Sequence, residues 1–94
     1  MTEPDPAASE VPKRAFRLMV REYALVRDLA VTPVNLDWAA PSVHEAVNFL
    51  LTQKLVTQEG KIVSISDRGR RLLGLPILIQ TAYTVAFDPA ALDG

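Results

Sequence analysis

The 94-residue chain has no cysteine, one histidine, four glycines and no surplus of either charge. Without cysteine there is no disulfide framework, no thiol nucleophile and no thiolate metal site. A single histidine excludes a multi-histidine metal centre within one chain. Ten Lys plus Arg against eleven Asp plus Glu leave a formal net charge of −1. Attachment to nucleic acid by bulk charge alone is therefore disfavoured. Long apolar runs are also missing. The longest uncharged stretch, Leu72 to Phe87, falls short of the roughly 20 residues of a membrane-spanning helix and contains Gln80, Thr81 and Thr84. The first ten residues carry three acids and no base, unlike a secretory signal. What remains is a hydrophobic content of 49%, enough for one modest core. A small, soluble, cytoplasmic domain that is not an enzyme and needs no cofactor or metal is the expectation.

Residues 1–11, with Pro4 and Pro6, read as a mobile acidic tail. From Lys13 to Ala30, Phe16, Met19, Val20, Tyr23, Val26 and Ala30 recur at three- and four-residue steps, which predicts an amphipathic helix begun at Pro12. Arg14, Arg17 and Arg21 share another face of it. Residues 11–27 hold five bases against Glu22 alone, a local charge of +4. Pro33 ends that helix. Asn35 caps a very short helix over residues 36–39. Ser42-Val43-His44-Glu45 has the pattern of a capping box and predicts a helix to about Lys54. The β-rich runs 55–57 and 62–66 flank Gly60, a hairpin signal. Ser66 caps a further helix over 67–73. Residues 75–87 fit two readings: a strand with Ile77, Ile79, Tyr83, Val85 and Phe87 alternating, or a helix with a polar stripe through Gln80, Thr81, Thr84 and Asp88.

The stretch Ala46-Val47-Asn48-Phe49-Leu50-Leu51-Thr52-Gln53-Lys54-Leu55-Val56, the turn glycine Gly60, and the phrase Ile65-Ser66-Asp67-Arg68-Gly69-Arg70-Arg71-Leu72-Leu73 resemble the winged helix-turn-helix domain of MarR- and PadR-type small regulators. The resemblance covers about residues 36–73. It implies a mainly α fold with a small β-hairpin: a three-helix core plus wing and a C-terminal helix or strand. Residues 12–75 would form that domain, and 76–94 an apolar segment able to dimerise. It also implies a DNA-binding transcriptional regulator whose helix 42–54 enters the major groove. His44, Asn48 and Thr52 would face the bases, and Lys61, Arg68, Arg70 and Arg71 the phosphates. Leu78, Tyr83 and Phe87 would be interface anchors of a homodimer.

The second reading is a winged-helix module that docks on protein, as an accessory subunit of a larger chromosome-organising or defence-type ATPase assembly. The helix 42–54 contains one base, Lys54, and carries Glu45, which suits this reading better than DNA. His44 has no nucleophile signature around it, and Ser42 is better explained as a cap than as a catalytic group. Trp38 is expected to pack beneath the helices and fix the turn before residue 42. An exposed Trp38 would instead be a protein-binding anchor.

Overall fold

A computed structural model of the chain describes residues 15–93. The acidic tail at 1–11 and the bases Lys13 and Arg14 lie outside the described residues. In chain order the elements are β1 (Phe16–Met19), α1 (Val20–Leu29), β2 (Val34–Asn35), a 3-10 turn (Leu36–Trp38), α2 (Pro41–Thr52), β3 (Val56–Glu59), β4 (Ile62–Ile65), α3 (Asp67–Leu73), β5 (Ile79–Gln80), β6 (Thr84–Phe87) and α4 (Pro89–Asp93). They build two three-stranded antiparallel sheets, ordered β1-β6-β5 and β2-β4-β3.

This overturns the mainly α, winged-helix expectation. Over the described residues the protein is an α+β domain, 47% helical and 25% strand. Strands beyond the expected β3–β4 hairpin account for the difference: β1, β2, β5 and β6. Residues 16–19, expected inside the first helix, form a strand instead, with Phe16 opposite Phe87 and Leu18 opposite Val85. Of the two readings open for residues 75–87, the strand is the one the structure shows, over Ile79–Gln80 and Thr84–Phe87, in keeping with their alternation and β-branched content. Within the apolar segment 76–94, β6 pairs with both β1 and β5.

The helix α1 therefore begins at Val20. Its first turn is closed by Glu22, whose carboxylate accepts the Met19 N–H at 2.7 Å. That glutamate is buried, and with Leu25, Val26 and Leu29 it forms the inward face of α1. α1 packs against both sheets and against α2 and α3, so one core spans the domain. Leu50, Leu55, Val63, Leu72, Phe87 and Leu92 are fully excluded from solvent within it. Phe87, expected as an interface anchor, pairs in this core with Tyr23 at 5.5 Å between ring centroids, and is not a surface residue.

The Ser42–Glu45 capping box does not form. Pro41 occupies the first turn of α2, where its fixed φ and missing N–H suit it, and extended Ala40 becomes the cap. The helix stops at Thr52. Lys54 then turns left-handed (φ +62°), its N–H donating to the Leu51 carbonyl at 3.0 Å while the Leu55 N–H donates to the Leu50 carbonyl at 2.9 Å. That is a Schellman closure, usually given to glycine, with buried Leu50 and Leu55 as its apolar pair. Gly60 adopts φ +60° at the first central position of the two-residue β3–β4 turn, the place a II′ hairpin reserves for glycine.

The phrase 65–73 joins α2 to α3. The Ser66 hydroxyl accepts the Gly69 N–H at 3.0 Å, capping α3, and donates to the Lys54 carbonyl at 2.7 Å. Arg68 donates to the Gln53 carbonyl. The Gln53 and Lys54 carbonyls just past α2 are thus taken by the cap and first turn of the next helix.

Candidate functional site

The residues expected to read bases sit on the outer side of α2. His44, Asn48 and Thr52 are all exposed. They are not equally available. The His44 ring lies with Nε2 3.0 Å from the Leu36 carbonyl, which can only accept, so Nε2 carries the proton and holds the 3-10 turn. The Thr52 hydroxyl donates back to the Asn48 carbonyl at 3.0 Å. Only Asn48 makes no side-chain hydrogen bond among the described residues.

The expected phosphate contacts are dispersed in the same way. Lys61 donates to Asp37 at 2.7 Å, and this hydrogen bond and its charge raise the ammonium pKa above its ordinary value. Arg68 forms a two-point bridge to the Asp93 carboxylate at 2.9 and 3.1 Å and lies over the Phe16 ring at 5.5 Å. The hydrogen bond from Arg68 lowers the Asp93 pKa below its ordinary carboxylate value. Arg71 donates to the Leu92 carbonyl at 2.9 Å. Three of the four bases hold this chain together, and Arg70 alone is exposed without such a partner among the described residues. Sequence reasoning had no access to these pairings, since the partners lie 24, 25 and 21 residues away.

Trp38 is the side chain that sequence reasoning misplaced most. It is 86% exposed, not packed beneath the helices. Its position is nonetheless held firmly. The Asn35 side chain caps the turn, accepting the Asp37 N–H at 2.9 Å. The Leu36 N–H donates to the Lys61 carbonyl at 2.8 Å, and Lys61 reaches back to Asp37. His44 secures the Leu36 carbonyl from the side of α2. The following residues, Ala39 (φ −94°, ψ 145°) and Ala40 (φ −67°, ψ 156°), are extended and lead to exposed Pro41. Ile62, opposite Asn35 in the β2–β4 register, is also exposed. Trp38, Pro41 and Ile62 are thus three exposed apolar residues on the segments that flank the Lys61–Asp37 bridge.

Of the expected interface residues, Leu78 is partly exposed and Tyr83 is 76% exposed at the β5–β6 turn. They belong to a different sheet from the Trp38 turn. Among the described residues no group of three or more His, Cys, Asp or Glu is placed to hold a metal ion, and no helix is long and apolar enough to cross a membrane. No protein family, curated protein or solved structure matches the chain.

Proposed function

We propose that this domain is a protein-docking module, an accessory subunit acting in the cytoplasm, with Trp38 as its principal anchor. The observation that carries this reading is a fully presented tryptophan on a turn whose backbone is fixed from three sides, by Asn35, by β4 and by His44. Leaving an indole in water contributes nothing to folding and works against solubility. Covering it with a partner would remove on the order of 150–200 Å² of apolar surface, a gross gain of about 4–5 kcal/mol. Because the turn is already ordered, little of that gain is lost to immobilisation. Tryptophan at the centre of a patch with a polar rim is the usual make-up of an interface hot spot.

A duplex-binding regulator is the second reading, supported by Asn48 and Arg70, which stand exposed and uncommitted among the described residues. It is the weaker one, because Lys61, Arg68 and Arg71 would each have to leave an internal partner to reach a phosphate.

The test uses the wild-type chain and Trp38→Ala as paired baits, followed by purification of any protein retained by the first alone and measurement of its affinity for both. The expected loss is at least about 2 kcal/mol, roughly thirtyfold in Kd. Binding to random duplex at low salt is measured alongside with Arg70→Ala. A partner held equally by Trp38→Ala, or tight duplex binding that Arg70→Ala weakens and Trp38→Ala does not, contradicts the docking reading.

A further inference from the structure

The β1-β6-β5 sheet offers a second surface with a chemistry of its own. The Val20 N–H donates to the Tyr83 carbonyl at 2.8 Å, so the alternate Met19 N–H points away from β6. That outward donor is taken by Glu22 at 2.7 Å. The open edge of β1 is therefore stoppered at its C-terminal end, and strand addition is blunted there. Recognition on this sheet falls to its outer face.

The register places exposed Arg17 and Met19 of β1, half-buried Thr84 and buried Ala86 of β6, and half-buried Ile79 of β5 on that face, so its accessible part is the β1 side. Tyr83 stands beside it, together with a cleft of ≈ 280 Å³ lined by Met19, Val20, Arg21, Ala82 and Tyr83. Ile77 and Leu78, which lead into β5, are also partly exposed. No charged residue occurs between Leu72 and Phe87. Of the nearby carboxylates among the described residues, Glu22 is buried on the Met19 N–H, Asp88 accepts the Ala90 N–H at 2.9 Å to start α4, and exposed Asp28 shares with Arg21 a different cleft, one that runs to α2. Arg17 and Arg21 are exposed and take part in neither of the two ion pairs among the described residues. Among the described residues the face is thus largely apolar, rimmed by two guanidinium groups, and carries no carboxylate of its own.

That charge pattern selects the occupant. A second copy docked face to face about a two-fold axis would set the same arginines against each other, which like-charge repulsion penalises. We infer that this face binds an acidic amphipathic segment of a partner protein. Its apolar side chains would enter the cleft beside Met19 and Tyr83, and its carboxylates would pair with Arg17 and Arg21 in the forked geometry that guanidinium groups favour. The inference stands apart from the Trp38 reading, since it uses a different sheet and different side chains.

The probe is a dye-labelled synthetic peptide of alternating leucine and glutamate, compared with its leucine–lysine counterpart and with vesicles of mixed phosphatidylserine and phosphatidylcholine. Binding of the acidic peptide should weaken with salt, fall about tenfold in Tyr83→Ala, and fall more than tenfold when Arg17→Glu and Arg21→Glu are combined. Trp38→Ala should leave it unchanged, which separates failure here from failure of the Trp38 reading. All four positions are exposed, and far-ultraviolet circular dichroism checks that each variant is folded. Several outcomes overturn the inference: equal binding of the basic peptide, indifference to the arginine or tyrosine substitutions, loss of peptide binding in Trp38→Ala, vesicle binding through the same arginines without peptide binding, or a dimer that Tyr83→Ala dissociates.

Discussion

Replacing Gly69 by alanine should destabilise the domain sharply, although alanine is the better helix former. A Cβ at this buried first-turn position of α3 would lie 2.2 Å from the Leu55 carbonyl oxygen and 2.8 Å from Ile65 Cγ1. Restoring ordinary contact requires the start of α3 and the chain after α2 to part by about 1.2 Å, from 2.2 to 3.4 Å. Beside the bond from Arg68 to the Gln53 carbonyl, two hydrogen bonds of Ser66 cross that seam: its N–H to the Leu55 carbonyl at 3.0 Å and its hydroxyl to the Lys54 carbonyl at 2.7 Å. Overpacking costs about 1–3 kcal/mol. Each weakened hydrogen bond adds up to about 1 kcal/mol. Helix propensity returns at most about 1 kcal/mol. The net loss is about 2–4 kcal/mol, a large part of the roughly 5–14 kcal/mol expected of a chain this size. Gly74→Ala is the control, because a Cβ there meets only the Arg71 carbonyl at 3.5 Å. Urea unfolding followed by circular dichroism decides the matter. A Gly69→Ala midpoint at or above that of the wild type, or equal to that of Gly74→Ala, would refute the reasoning.

Other expectations rest on single features. Lys54→Gly should raise stability by about 0.5–1 kcal/mol in the same urea assay, since glycine takes the left-handed conformation without a Cβ penalty. Phe87→Ala should cost about 3–5 kcal/mol, whereas Tyr83→Ala should stay within about 0.5 kcal/mol of wild type, reflecting one core and one surface aromatic. The Arg68 bridge lowers the Asp93 pKa, so its contribution is fully present above the ordinary carboxylate pKa and is lost as pH falls through the lower folded value. Unfolding midpoints across that acid range should therefore fall less steeply in Asp93→Asn than in wild type.

The parts of the fold legible in the sequence are those decided within a few residues. Asn35 and Ser66 cap the turns they were expected to cap, and Gly60 takes the positive φ that the hairpin requires. Ser42 failed as a cap because Pro41 competes for the same turn and fits its first position better. The misread portions are decided at long range. Phe16–Met19 has helical spacing, yet it pairs with Thr84–Phe87 at the far end of the chain. The bases of the expected phosphate site were legible as residues, but their engagement by Asp37, Asp93 and Leu92 depends on tertiary folding. Trp38 reads as core on hydrophobicity alone. Its exposure follows from a turn held by polar bonds, which a hydrophobic pattern does not encode.

The docking account depends most directly on that side chain, and Trp38 is the only tryptophan in the chain. Its fluorescence in the dilute, folded protein should have the red-shifted emission of a hydrated indole, should be quenched by acrylamide as readily as in the urea-unfolded chain, and should shift little on unfolding. A blue-shifted emission protected from acrylamide in the isolated folded chain would place Trp38 in the core and contradict the account.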